Sequence, residues 1–463
     1  MSTEATVDPV VALVAGHPWV AGARAAADGR ILVRPRPSAM AARPVPGPLL
    51  HECLDHWAEV YDWVYQDARG RHADDLDLSG WRASDTGLPL PTEHMRDWLD
   101  RTVDLVLSQR PRRVLELGCG TGLLAHRLHA RLEGYVGTDV APAAVDRLRR
   151  AGLPGTAFVH AAAHEAGTAE VRRAMDAVFG AGVRPDCVLL NSVTQCFPSL
   201  DYLAAVLHEA LDAVTDPGTV IVGDIRHSGL LTDHFTWLER TRCPESDPDT
   251  LDTRVKAAIA ADEELSFAPQ AVAAVLAAHS RPVRMSVRAR TMELNTELTR
   301  YRYDLVLRIG PRPGTLPDTD TDGVRRVRWS GRQGKGLPAT LRAALNERPA
   351  IVSAIPNALF DDAPEAVTPY ALRRALHGLD AAVLLDADDP RMLAVAAPAD
   401  CAYAASAPTT ATPVVREPVA HEPLTAFVHR RLPEVLRDHV RRMAPDTTPP
   451  RIVVVDETGD AAP

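Results

Sequence analysis

The run Val114-Leu-Glu-Leu-Gly-Cys-Gly-Thr-Gly122 puts an acidic side chain, Glu116, just ahead of three glycines, Gly118, Gly120 and Gly122. Glycines at that spacing let the backbone turn tightly and let a ligand approach where a Cβ would stand in the way. Asp139 ends the next apolar segment, YVGTD, 17 residues after Gly122, where a carboxylate can accept from both hydroxyls of a ribose. A bare G-x-G-x-G also serves dinucleotides or forms a plain tight turn, and Glu116 alone could be an exposed strand-end carboxylate. The full pattern E-x-G-x-G-x-G, with no partner motif for a pyrophosphate, suits a nucleoside without phosphate better than NAD. Further along, Asn191, Ser192 and Gln195 follow the segment DCVLLNS. That is the strand-end edge where ligands of such sheets bind, although a turn-stabilising Asn is the competing role.

These residues need a scaffold, and the pattern around them supplies one. VLELG, YVGTD, AFVHA, DCVLLNS and TVIVGDI alternate with helical stretches, which predicts a mainly parallel sheet covered on both faces. From His51 to Gln66 the residues Leu54, Trp57, Val60, Tyr61, Val64 and Tyr65 recur at helical spacing and predict a helix with one apolar face. A second helix is expected over 93–107, with Thr92 as its N-cap. The proline-rich stretch PRPSAMAARPVPGP sets a boundary near Pro48. The expected units are then 1–48, a doubly wound core over 49–312, a small mixed α/β subdomain over 313–403, and a linker with a helix and strand over 404–463.

The chain has 463 residues, a formal net charge of -10, 46% hydrophobic and 24% charged residues, the balance of a soluble globular protein. Nucleic acid is not an expected partner, since phosphate-backbone binding needs a clustered basic surface. No apolar run is long enough for a membrane span and the start lacks the basic residues of a signal peptide, so a cytoplasmic protein is expected. Only Lys256 and Lys335 are lysines, an arginine bias of the kind a GC-rich genome imposes. The six cysteines are scattered without a C-x-x-C pair, so neither a metal site nor a disulfide framework is expected.

In order, VYDWVYQ (60–66), GWRASDTGLPLP (80–91), VLELGCGTG (114–122), VGTDVAP (136–142), LLNSVTQCFPS (190–199), VGDIRHSGLL (222–231) and NTELTRYRYDLVL (295–307) run through the chain. Together they resemble the S-adenosylmethionine-dependent methyltransferase domains inserted into adenylation domains of nonribosomal peptide synthetases. RVRWSG (326–331) and AIPNALF (354–360) look like that family's C-terminal subdomain, and 15–37 and 424–457 look like adenylation segments flanking the insertion. The rest of an adenylation domain is missing: there is no Ser/Thr/Gly-rich phosphate loop and no lysine after Met443. The terminal segments therefore read as remnants around a stand-alone methyltransferase.

The resemblance implies a class I methyltransferase fold, an α/β doubly wound sheet, with S-adenosyl-L-methionine as cofactor. It implies that Glu116, Gly118, Gly120 and Gly122 hold the methionine end of the cofactor, with Asp139 and Val140 on the nucleoside. Trp81, Ser84, Thr86 and Gly87 fall in a segment that closes over the cofactor in the family, and Asn191 and Ser192 border it. His164 and Glu165 fall near the adenine, where acidic residues are usual. Catalytic roles would pass to Glu297, Asn191 and Tyr303, with Glu297 binding or deprotonating an ammonium acceptor unless it only pairs with Arg300. Asp224 and Arg226 also fall on family motifs. Two departures, Asp85 and Cys196 in place of tyrosines, bear on the acceptor side.

The expected reaction is N-methylation of an aminoacyl group on a carrier protein, or of a small amine. Two other outcomes are open: attack of the cofactor's own amine on its carbon, giving a cyclic amino acid, and a degenerate scaffold that binds synthetase partners.

Overall fold

A computed structural model of the chain describes residues 9–67, 75–310, 324–329, 341–342, 345, 349–405 and 419–455. Its strands are β1 (Val20–Ala25), β2 (Ile31–Pro35), β3 (Arg113–Leu117), β4 (Gly134–Asp139), β5 (Thr156–His160), β6 (Cys187–Asn191), β7 (Gly218–Arg226), β8 (Ser266–Phe267), β9 (Val283–Ala289), β10 (Arg302–Ile309), β11 (Arg325–Arg328), β12 (Ala350–Pro356), β13 (Ala382–Leu385), β14 (Met392–Ala397), β15 (Ala420–His421) and β16 (Ile452–Val454).

β4, β6 and β7 are buried at every residue. Burial on both faces is what near-continuous apolar strands require, and it makes them the centre of a covered parallel sheet. Among the described residues the order is β11-β12-β14-β13-β9-β10-β7-β6-β3-β4-β5. β5, β4, β3, β6 and β7 are parallel, and β10 enters antiparallel between β7 and β9. The chain goes from β3 to β4 on one side and later returns to β6 on the other, so the crevice above β3 and β6 is the switch point where such sheets bind ligands.

Leu115, Leu117 and Val136 face one apolar cluster, while Val114, Tyr135, Leu189 and Trp98 face the other. The helix Thr92–Ser108 covers the second face. Thr92 is its first helical residue rather than its cap: the capping position belongs to Pro91, which has no side-chain acceptor to offer.

The expected C-terminal subdomain has an apolar cluster of its own, yet its strands extend the same sheet through a single pair, Leu384 with Arg288. Residues 311–323 and 406–418, read as a loop and a linker, lie outside the described residues. The terminal segments come together: β1 and β2 form a hairpin, and β16 adds parallel to β2 beside the helix Pro423–Met443. No helix among the described residues is long and apolar enough to cross a membrane.

Candidate functional site

At the end of β3 all three glycines have positive φ, 81° at Gly118, 50° at Gly120 and 83° at Gly122. Two of them are also tight: a Cβ at Gly118 would lie 2.5 Å from Val193, and one at Gly122 would lie 2.3 Å from Leu148. The glycines therefore let the loop pass close to the β6 loop and to the helix Pro142–Ala151 that follows β4. The amides of Gly118 and Cys119 donate to the Thr138 carbonyl at 2.8 and 2.9 Å, tying the loop to β4.

Asp139 closes the arrangement. One carboxylate oxygen accepts from the Gly120 amide at 2.7 Å and the other from the Ala141 amide at 2.9 Å. Burial raises its carboxyl above the ordinary carboxylate range, and the backbone donors oppose that rise. Each oxygen keeps a free lone pair toward the cleft.

The cleft runs from Gly118, Gly120, Asp139 and Val140 to Ser192 and Cys196. Its roof is the helix Pro48–Asp67, from which Leu54, Trp57, Tyr61 and Tyr65 project at helical spacing. The rings follow one another, Trp57 to Tyr61 at 6.0 Å and Tyr61 to Tyr65 at 5.7 Å between centroids. Asp62 pins the helix by accepting from the Ala143 amide at 2.8 Å.

Ala161, Ala162 and Ala163, with Phe197 and Tyr202, make a narrow apolar side that suits a flat heterocycle. His164 and Glu165 brace this side from behind: His164 Nδ1 meets the Tyr202 hydroxyl at 2.8 Å, and Glu165 accepts from the Ala162 amide at 2.7 Å. Cys196 faces the Tyr61 hydroxyl at 3.7 Å, and burial pushes its thiol up to about 12. The aromatic roof was legible only as a helical face; nothing in its spacing says that the face covers a ligand rather than core.

Glu116 is not part of this lining. Strand alternation turns it away from the face of Leu115 and Leu117, and it lies buried where the Tyr135 hydroxyl donates to it. Burial and the nearby Asp139 hold its carboxyl well above the usual range. Its place is beneath the glycine loop. Trp81 packs on Trp98 with centroids 4.6 Å apart, and Gly87 sits exposed at a tight turn with φ +67°. Neither lines the cleft; nor does Thr86, whose hydroxyl accepts from the Leu88 amide at 3.3 Å.

Beyond Ser192 the site becomes polar. Ser192, at φ +53°, donates to Asp224 at 2.6 Å, and Arg302 reaches the same carboxylate at 2.7 Å. A bulge between Tyr303 and Leu305 makes room for this: Asp224 has φ +62° and its amide donates to Asp304 at 2.8 Å. Burial would raise the Asp224 carboxyl, but Arg302 and Arg290 overcome it and hold the group below its usual range. Gln195 donates to the Asp224 carbonyl at 3.0 Å. Asn191 is buried beside Gly223 and its side-chain oxygen has no hydrogen-bond donor among the described residues.

Glu297 forms a second chain. The Ser84 amide donates to it at 2.8 Å, the Ser84 hydroxyl does so as well, and His234 Nε2 stands 3.6 Å away. Burial alone would raise its carboxyl; His234, Arg302 and Ser84 together bring it down to about 2. At neutral pH such a group stays ionised and cannot take a proton from an ammonium. Arg300 is not its partner, since it donates to Asn295 at 3.2 Å. Arg226 continues the chain with ion pairs to Asp262 at 3.0 Å and Glu264 at 2.8 Å.

Tyr303 is fully buried and donates to the Phe267 carbonyl at 3.0 Å, so the structure gives it to the core rather than to catalysis. Among the described residues no group of three His, Cys, Asp or Glu side chains could hold a metal ion.

Charge decides what the cleft can hold. Asp139 is the one charged side chain among the described residues that line it, and no arginine or lysine does. A phosphate-free, cationic nucleoside fits; a dinucleotide would bring a pyrophosphate with nothing to meet it.

Residues 115–220 match the methyltransferase domain family. The chain is 38% identical over 267 residues to a probable non-canonical nonribosomal peptide synthetase, CymA, from Salinispora arenicola, covering 57% of this chain and 3% of that protein. It is 30% identical over 333 residues to the chondramide synthase cmdD of Chondromyces crocatus, covering 70% of this chain and 8% of that one. The chain thus spans a small part of the length of the curated relatives it matches. Among solved structures, the magnesium protoporphyrin IX methyltransferase ChlM from Synechocystis with bound SAH aligns at a TM-score of 0.34 and 11% identity, covering 56% of this chain and all of that one.

Proposed function

We propose that this chain, which carries an S-adenosylmethionine-dependent methyltransferase domain of the kind found within nonribosomal peptide synthetases, methylates the nitrogen of an aminoacyl group. The carrying observation is the charge of the cleft: aromatic and apolar throughout, with the single carboxylate of Asp139 beside the glycine loop. The family match and the synthetase relatives support the same class of reaction.

S-Adenosylmethionine supplies, when bound, a methyl group on a positively charged sulfur. Asp139 would accept from the ribose hydroxyls of the bound cofactor. Ala161, Ala162 and Ala163 leave a slot for the purine, while Tyr61 and Tyr65 cover the cleft and keep water from it. Ser192, fixed by Asp224, borders the space in which an acceptor would meet the methyl group. Most of the rate then comes from alignment: holding two reacting atoms in line at about 3 to 3.5 Å contributes on the order of 7 to 11 kcal/mol.

The acceptor amine arrives neutral, because the buried carboxylate of Glu297 is too weak a base to deprotonate it. Glu297 instead fixes Ser84, drawing the 75–87 segment against the site. The proton released on methylation leaves through solvent. An aminoacyl thioester on a carrier protein meets this requirement, since its amine is less basic than that of a free amino acid.

The test is incubation with S-adenosylmethionine, with and without an aminoacyl carrier protein, followed by mass spectrometry. S-Adenosylhomocysteine and an N-methylated aminoacyl group, formed only with the carrier present, are the expected products. Methylthioadenosine and a cyclic amino acid formed from the cofactor alone would overturn methyl transfer.

A further inference from the structure

A second cavity, of about 730 Å³, lies between the helix Thr92–Ser108, the β9 end of the sheet and the helix Pro369–Ala375. Five guanidinium side chains line it: Arg101, Arg288, Arg290, Arg373 and Arg374. Its carboxylates are Asp104 and Asp304. In a chain of net charge -10, that is a strong local reversal of sign.

Both acids are already engaged. Asp104 receives Arg101 at 3.0 Å and Arg373 at 2.8 Å, and Asp304 receives Arg290 at 2.7 Å. Arg288 and Arg374 have no carboxylate within the 4.0 Å of an ion pair among the described residues; Arg288 lies beside Tyr403, and Arg374 lies 5.9 Å over the Tyr370 ring. The Nε atoms of Arg288 and of Arg290, the latter only 3% exposed, are buried without a hydrogen-bond acceptor. Five guanidinium groups against two carboxylates that are already engaged leave an excess of positive charge around an open cavity, and that excess points to an anion that arrives from outside.

We propose that this cavity is a binding site for a small phosphate ester, whose phosphoryl group is taken by Arg288 and Arg374. Planar guanidinium forks match phosphate oxygens two at a time, which an ammonium cannot do. The cavity is far larger than a bare oxyanion needs, and Leu105, Leu376, Leu379 and Val383 give the organic portion an apolar wall. Arg101 and Arg373 stand ready to share their bond to Asp104 with the same group.

The site is separate from the cofactor cleft and does not rest on the proposed reaction. It is tested by isothermal titration of the full chain with ribose 5-phosphate, inorganic phosphate and ribose, at low and high salt. Ribose 5-phosphate should saturate, weaken as salt rises, and bind at least about tenfold tighter than inorganic phosphate, while ribose should give no heat. Arg374→Glu, at an exposed position, should weaken binding at least about tenfold at an unchanged melting temperature. Arg288→Met, which removes the other guanidinium and keeps its bulk, should do the same.

Absence of saturation with ribose 5-phosphate, or an affinity that neither substitution lowers, would overturn the site. Equal binding of inorganic phosphate would overturn the ester class. Titration of the same samples with S-adenosylhomocysteine reads the cofactor cleft independently.

Discussion

Two cavities of opposite character lie on one sheet of the described residues. The cleft above β3 and β6 has one carboxylate and an aromatic roof, whereas the cavity beside β9 has five arginines and two acids. The first excludes phosphate by offering it nothing; the second surrounds it with an excess of guanidinium groups. They are joined by Arg290, which contacts Asp304 on the arginine side at 2.7 Å and Asp224, the anchor of Ser192, at 3.5 Å. A single sheet can therefore keep two ligand chemistries apart by which strand ends it exposes, with one buried guanidinium between them.

The largest expected effect comes from cancelling the charge that defines the cleft. Asp139→Asn should weaken S-adenosylhomocysteine binding by about a thousandfold, because two charge-assisted bonds of about 1.5 to 3 kcal/mol each are lost. Titration calorimetry measures it, and phosphate-ester binding should not change.

Next is the carboxylate held down to about 2. Glu297 has its folded pKa below its unfolded value, so its stabilisation is present above about pH 4.5 and is lost as pH falls toward 2. The gap corresponds to on the order of 3 kcal/mol. Thermal melts across that window should show a steep loss in the wild type and a shallower one in Glu297→Gln.

A smaller contrast compares a glycine from each cavity. Gly118→Ala meets both a positive φ and Val193 at 2.5 Å, whereas Gly378→Ala meets a positive φ of 83° in open space. The first should destabilise by about 2 to 4 kcal/mol and the second by about 1 to 2 kcal/mol, read as melting-temperature shifts. The smallest effect is expected from Tyr61→Phe. If the roof works by covering area, cofactor affinity should fall by less than about threefold, since a weak hydroxyl contact is worth about 0.5 kcal/mol.

The part of the site visible in the sequence is the part made by neighbours along the chain. Three glycines and Asp139 are brought together by one strand, one turn and the next strand, so local pattern suffices. Glu116 belonged to the same motif and still went elsewhere. A strand buried on both faces does not reveal which face a given residue takes, and the buried Tyr135 hydroxyl claimed this one. Glu297 was recognisable as a motif residue, but its partners Ser84 and His234 come from segments far apart in sequence. Tyr303 looked functional because it falls on a motif position of the family that the sequence resembles, yet the bulge in β10 directs Asp304 to the site and Tyr303 to the core. The arginine cavity left no sequence signal at all: its lining comes from four separated segments, and arginine is common throughout this chain.

β16 pairs with β2 at Ile452 to Ile31, Val453 to Leu32 and Val454 to Val33, residues more than 400 positions apart. On the ribosome, β2 must then wait for its neighbour. At about 5 to 20 residues per second, the β1–β2 hairpin stands with one edge open for about 20 to 80 s while everything between is made. A lone hairpin is marginal in water, so this part of the protein becomes stable only once β16 has been made. The terminal sheet then closes on the central sheet as a clasp, joining the same apolar cluster.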